Sequence, residues 1–255
     1  VIPSDKPGSL ALAIRQPAGV CVGMAPWNAP VILCVRAFAM ALACGNTVVI
    51  KASETCPATH VLIGKIMNEA GLPKGVLNVI THAKADAPKV VEALIAHPAV
   101  RRVNFTGSTK VGRIIAELAA RHLKPVLLEL GGKAPLIVLD DANLEDAVDA
   151  AAFGAYLHQG QICMSTERII VDNKIADAFV SMLATKANAL PYGDPRGKVV
   201  LGSLVELAAA ERMDELIKDA TAKGAKLVAG GKRNGSIMQA SLLDHVTPGM
   251  RIYDE

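Results

Sequence analysis

Pro125-Val126-Leu127-Leu128-Glu129-Leu130-Gly131-Gly132-Lys133-Ala134-Pro135-Leu136-Ile137-Val138-Leu139 decides how this chain is read. Two short apolar runs flank a pair of glycines. Continuous apolar runs bounded by turn residues suit buried strands, and Gly131-Gly132 permits a sharp exit from one sheet into another. The first run therefore closes the unit before it, and the second opens the unit after it. Glu129 ends the first run. Beyond the second, an alanine-rich helix is expected over 143–158, capped from Asp141-Ala142-Asn143. It leads into Gly160-Gln161-Ile162-Cys163, which puts a thiol in a loop after a helix. A thiol and a carboxylate suit covalent catalysis, in which a thiolate attacks and a carboxylate later activates water. A lone cysteine is more often a small buried hydrophobe, so the pair decides nothing alone.

Upstream, strands and helices alternate from 19 to 129, which indicates a parallel, Rossmann-like sheet. Val20-Cys21-Val22-Gly23-Met24 reads as a buried strand running into Pro26-Trp27-Asn28-Ala29-Pro30. Pro30 fits the first turn of a helix over 31–44, and Ala29 before it is pushed towards an extended conformation. Asn28 is then held at a strand-to-helix junction, either as an N-cap or with its amide turned to a developing oxyanion. Thr47 to Ile50 is a short strand with Lys51-Ala52-Ser53-Glu54 at its carboxyl end, where open α/β sheets collect ligands. Lys51 and Glu54 can bind ribose hydroxyls or form a solvated pair beside a capping Ser53. Further strands are expected over 76–80 and 100–105, with helices over 57–70 and 88–96. Phe105-Thr106-Gly107-Ser108-Thr109-Lys110-Val111-Gly112 is a strand-to-helix turn whose free N–H groups suit an anion. It is not G-x-G-x-x-G, and alone it could be mere helix entry.

Downstream, strands are expected over 167–171 and 226–229, and helices over 175–190 and 204–223. At the other end, 3–8 reads as a turn and 9–16 as a strand. A free strand edge of that kind needs a partner.

Hydrophobic residues make up 51% of the 255 and aromatics only 3%, so the core must be mostly Ala, Val, Leu and Ile. The net charge of +3 is too weak to argue for nucleic acid or an anionic membrane. Five cysteines, Cys21, Cys34, Cys44, Cys56 and Cys163, form no C-x-x-C pair. Neither a disulfide framework nor a metal site is indicated, and a reducing cytoplasmic compartment fits. No apolar run approaches the ~18 residues of a membrane span.

Pro26-Trp27-Asn28, Gly45-Asn46 with Lys51, Phe105-Thr106-Gly107-Ser108, Glu129-Leu130-Gly131-Gly132-Lys133 and Gly160-Gln161-Ile162-Cys163 stand in the order and at about the spacing of the aldehyde dehydrogenase superfamily, which the chain resembles over nearly its whole length. The resemblance implies an α/β fold: an oligomerisation-strand remnant over 1–18, an NAD-binding Rossmann-like domain over 19–130, and an incomplete catalytic domain over 131–255. It implies catalytic roles for Cys163 as nucleophile, Glu129 as base and Asn28 as oxyanion donor. Contacts to NAD are implied for Trp27, Lys51, Ser53, Glu54, Phe105, Thr106, Gly107, Ser108, Leu130 and Gly131. A carboxylate at Glu54 favours NAD over NADP by repelling a 2′-phosphate. The chain departs from the family at His82-Ala83-Lys84-Ala85-Asp86, where glycine-rich sequence is usual. It also looks like the middle of a longer enzyme, with Glu255 at or one residue before a Glu-x-Phe-Gly-Pro motif. At full length a homodimer or homotetramer is implied.

The segment from Gly160 to Arg168 is most similar to the salicylaldehyde and vanillin dehydrogenase branch. An aromatic aldehyde is then the expected substrate, with Leu33, Leu157 and Ile162 as apolar walls. Leu33 and Arg36, three residues apart, share one helical face, so Arg36 can donate to a ring hydroxyl or instead serve a structural ion pair. The alternatives are a CoA-acylating enzyme, which Glu129 argues against, an aliphatic or semialdehyde dehydrogenase, and an inactive fragment serving as a scaffold.

Overall fold

Val20–Met24 forms β1, buried along nearly its whole length, as suits a central strand covered on both faces. It pairs in parallel with β2, Thr47–Lys51, on one side and β4, Val100–Gly107, on the other. β3, Leu77–Ile80, and β5, Val126–Leu130, complete an all-parallel sheet of order β3-β2-β1-β4-β5. The connections are α1, Pro30–Ala43; α2, Pro57–Glu69; α3, Ala87–Ala96; and α4, Thr109–Arg121. Alternating residues of β1 feed two cores. Cys21 packs with Cys34, Phe38 and Ile63 of α1 and α2, whereas Val22 and Met24 pack with Ile95, Ile115 and Ala119 of α3 and α4. Helices thus cover both faces, the doubly wound arrangement expected. This computed structural model describes residues 2–3 and 5–255, and it divides into two compact units, Val1–Leu130 and Gly131–Glu255.

Punctuation sets the element ends. Pro30 and Pro57 open α1 and α2. α1 ends in a Schellman motif, in which Gly45 N–H donates to Leu42 O (2.9 Å) and Asn46 N–H to Ala41 O (3.0 Å). Asn46 then bonds back to the start of β1, its Oδ1 accepting from the N–H groups of Ala18 (2.7 Å) and Gly19 (3.0 Å). Gly112 lets α4 approach β5, because a Cβ there would fall 2.6 Å from Leu130.

The second unit opens with β6, Pro135–Val138, parallel to β7, Arg168–Val171. α5, Leu144–Tyr156, and α6, Ala176–Ala189, meet through Val148, Ala151, Ala152, Phe179 and Leu183. α7, Leu207–Ala222, precedes β8, Lys226–Ala229; β9, Arg233–Asn234; β10, Ile237–Met238; β11, Leu242–Asp244; and α8, Arg251–Asp254. β8 pairs antiparallel with β11, and β9 with β10.

Two expectations are corrected. Among the described residues no strand forms over 9–16, and the ladder contact found there is an isolated bridge between Ile2 and Ala11. Leu10, Leu12 and Ile14 stand exposed, since an extended segment with no neighbouring strand in register has nowhere to place its hydrogen bonds. Of the 1–18 segment, Val1 and Ser4 lie outside the described residues. The helix expected to reach residue 158 stops at Tyr156. His158 (φ 53°) and Gln159 (φ 57°) turn left-handed, followed by Gly160 (φ 71°). No helix continues through that conformation, whatever the helix propensity of His and Gln.

Candidate active site

In the first unit the candidate residues gather along the carboxyl edge of the sheet. The turn after β1 carries Trp27 and Asn28, both half-buried. The N-cap of α1 falls to Ala29, which has no side chain to cap with. The capping reading of Asn28 is thereby corrected, because Pro30 fixes the helix start one residue later.

At the end of β2, Lys51 Nζ lies 2.6 Å from Glu54 Oε1. His82, after β3, brings Nε2 to 3.1 Å from the same oxygen without hydrogen-bond alignment, while its Nδ1 is 2.8 Å from Ala83 O. Burial would raise the Glu54 pKa. The hydrogen bond and charge of Lys51, helped by the Glu54 backbone and His82, outweigh it and hold the carboxyl below its usual range. An anionic acceptor beside a cationic donor suits the two hydroxyls of a ribose.

Ser53 is buried and its N–H donates to His60 Nδ1 at 3.1 Å. After β4, Ser108 caps α4, its Oγ accepting from Val111 N–H at 3.4 Å, so the first-turn amides of α4 face the sheet edge. Phe105 is buried below them, and a Cβ on Gly107 would fall 2.5 Å from its ring. This close glycine turn, a helix start and the Lys51–Glu54 pair are donors and acceptors that fit a dinucleotide.

At the end of β5, Glu129 and the outer face of α1 meet. Arg36 Nη2 lies 3.7 Å from Glu129 Oε2, both about half exposed. A loose pair in such solvent contributes little to stability and leaves both groups able to exchange partners. Leu33, one turn earlier, is buried. Leu130 is half-buried against Gly112, and Gly131 begins the second unit in an exposed position.

In the second unit, Cys163 lies within a tight turn, closed by Ser165 N–H donating to Ile162 O at 3.0 Å. The turn is pinned on three sides. Gln161 Nε2 donates to His158 O (3.2 Å), Gln161 Oε1 accepts from Val205 N–H (2.9 Å), and Thr166 N–H donates to Gly154 O (2.9 Å). Gly154 is required there, since a Cβ would fall 2.4 Å from Thr166 Oγ1. Leu157 and Ile162 flank the turn, the first exposed and the second half-buried.

Burial separates the five thiols. It raises Cys21 and Cys56 and pushes Cys34 up to about 11, all away from thiolate. Cys163 and Cys44 are exposed. Cys44 caps the end of α1 at the amino edge of the sheet, away from the strand ends that carry the other candidates. Of the described residues, none form a cluster of three or more His, Cys, Asp and Glu placed to hold a metal.

Sequence reasoning missed His60 and treated His82 only as a departure in a loop. The available signal for His82 was its place just past a strand end on the ligand edge. For His60 there was none beyond a histidine seven residues after Ser53.

The chain matches the profile of the aldehyde dehydrogenase family over residues 1–255. It is 67% identical to a vanillin dehydrogenase of Pseudomonas fluorescens over 256 residues, covering 100% of this chain and 53% of that protein. The crystal structure of a salicylaldehyde dehydrogenase from Pseudomonas putida G7, complexed with salicylaldehyde, superposes with a TM-score of 0.96 at 54% identity. It covers 100% of this chain and 53% of that one. A NAD-dependent benzaldehyde dehydrogenase from Corynebacterium glutamicum gives a TM-score of 0.90 at 37% identity, with 100% and 55% covered. The chain thus spans about half the length of the relatives it matches.

Proposed function

Since this chain belongs to the aldehyde dehydrogenase family, we propose that its full-length form oxidises an aromatic aldehyde to the carboxylic acid, with NAD as the hydride acceptor. The observation that carries this reading is the 67% identity to a vanillin dehydrogenase in a chain whose sequence has Cys163, Glu129 and Asn28.

Cys163, as thiolate, attacks the carbonyl carbon and forms a carbon–sulfur bond, and the carbonyl electron pair moves to oxygen. The Asn28 amide and the Cys163 N–H donate to that oxyanion. Only contacts stronger on the oxyanion than on the aldehyde accelerate the step, and losing one such donor costs ~3–4 kcal/mol. Bound NAD supplies the acceptor for the hydride that leaves the same carbon. A thioester then remains on Cys163. Glu129 takes a proton from water, the resulting hydroxide adds to the thioester carbon, and the carbon–sulfur bond breaks to release acid and thiolate. The turn that pins Cys163 supports this role by fixing the thiol on a rigid support.

Lys51 and Glu54 hold the adenosine ribose, and the start of α4 faces the pyrophosphate. Glu54 disfavours a 2′-phosphate, although Lys51 and His82 beside it soften that repulsion. Leu33, Leu157 and Ile162 are assigned to the aldehyde's apolar surroundings. Arg36 exchanges its loose contact with Glu129 for a ring hydroxyl.

NADH formation by the full-length protein tests the reading, with salicylaldehyde, vanillin, benzaldehyde and a short aliphatic aldehyde, each with and without CoA. Aromatic substrates should give the higher kcat/KM without CoA, NADP should serve less well than NAD, and Cys163→Ala should abolish turnover. Glu129→Gln should leave a burst of NADH followed by a slow steady rate. A CoA requirement would move the protein to the acylating class, and an aliphatic preference would end the aromatic reading.

A further inference from the structure

His82 follows β3 on the edge of the sheet that carries Lys51 and Glu54. Lys51 of β2 pairs with Ile80 of β3, which brings the two strand ends side by side. The His82 side chain is 5% exposed against 24% for Glu54, so the ring forms the covered side of their contact and the carboxylate the open side. The Ala83 carbonyl, 2.8 Å from Nδ1, accepts and cannot donate, so Nδ1 carries the hydrogen of the neutral ring. Nε2 is then bare. It is buried, makes no hydrogen bond, and faces Glu54 Oε1 at 3.1 Å. The same oxygen accepts from Lys51 Nζ at 2.6 Å, which helps to keep the carboxyl ionised. Two acceptors therefore confront each other until Nε2 takes up a proton. The ring is then a cation with a hydrogen for each of its two acceptors. The charged groups that bear on it are Lys51 and Glu54 at the end of β2 and, on its own loop, Lys84 and Asp86.

We propose that His82 is a positioning residue that sets the choice of dinucleotide through Glu54. With Nε2 bare, the charge of Glu54 is unopposed from the ring side and excludes a 2′-phosphate. With Nε2 protonated, the ring holds and balances the carboxylate, and the phosphate is tolerated. This rests on the ribose role proposed for Lys51 and Glu54 and adds the group that sets how strictly the role is exercised. His82 does not touch the phosphate; it changes the field that the phosphate meets. A glutamine at 82 keeps a polar side chain beside Glu54 but cannot change its charge, so it separates this role from simple space filling.

The experiment uses the full-length protein as wild type, His82→Gln and Glu54→Gln. The readouts are Kd values for NAD and NADP, titrated without aldehyde at about pH 8 and about pH 6, and the 15N signals of the histidine rings in the unliganded protein. From the higher to the lower pH, the ratio of the NADP to the NAD constant should fall about 3–10-fold further in wild type than in His82→Gln. The 2′-phosphate also takes up a proton in this range, but it does so with both proteins and cancels in the comparison. Glu54→Gln should bind NADP more tightly than wild type at the higher pH and should lack the extra pH response. The ring signal that His82→Gln removes should show hydrogen on Nδ1 and none on Nε2 at the higher pH. The role is overturned if the ratio changes equally in wild type and His82→Gln, or if that ring carries its hydrogen on Nε2. A wild type that binds neither dinucleotide overturns the cofactor reading, and this role with it; NAD binding with an unaltered ratio overturns this role alone.

Discussion

The imidazole of His60 is fully buried in α2, and its Nδ1 accepts from the Ser53 N–H at 3.1 Å. Burial pushes its pKa below the ordinary value near 6.5, the charge of Lys51 acts in the same direction, and the Pro30 carbonyl opposes them. Cys56 is the other titratable group against the ring. Protonation would put a hydrogen on Nδ1 and break the bond from Ser53. The unfolded chain takes up a proton near pH 6.5, whereas the folded one resists until lower pH. The stability contributed is therefore full above about 6.5 and drains as pH falls through the folded pKa, with a slope of up to about 1.4 kcal/mol per pH unit. Chemical denaturation of wild type and His60→Asn between about pH 7.5 and about pH 5 checks this. The wild type should lose more stability than the variant over that range. Parallel losses would mean that other groups govern the acid limb.

Among the elements, the end of α4 stands out for the wrong residue in the right geometry. Leu123 occupies the left-handed position (φ 52°) that closes the helix, with Leu123 N–H bonded to Ala120 O and Lys124 N–H to Ala119 O. Its side chain is 93% exposed, so little packing offsets the strain. Leu123→Gly should stabilise the protein by about 0.5–1 kcal/mol, read as a higher midpoint in thermal or urea unfolding. A lower midpoint would show that the side chain has a packing role. The end of α1, with Gly45 in the same position, was legible from sequence because the glycine announces it. The end of α4 was not, because nothing in Arg121-His122-Leu123 signals a stop. The same contrast holds elsewhere. Strands β1 to β5 were readable as apolar runs between glycines and prolines, and with them the edge that carries Asn28, Lys51, Glu54, Ser108 and Glu129. The left-handed residues before Cys163 were not readable. They lead into a turn held by Gln161 bonding to Val205, a contact between loops 44 residues apart. β9 to β11 have two or three residues each, too few for any periodicity to show.

At the scale of the molecule, Leu10, Leu12 and Ile14 form an alternating apolar row outside both units' cores. If the full-length protein assembles through a partner strand laid on this row, Leu12→Asp with Ile14→Asp should reduce its mass in light scattering and leave the subunit's secondary structure intact. An unchanged mass would remove these residues from any interface. The sheet order carries a different consequence, for how the protein is made. Val20 of β1 pairs with Val100 of β4, so about 80 residues must be added before the central strand gains its second neighbour. At ~5–20 residues per second on a ribosome, that is a wait of about 4–16 s. During that wait the strand that ends most enclosed has one apolar edge with no strand against it, a site open to wrong pairing until β4 is synthesised.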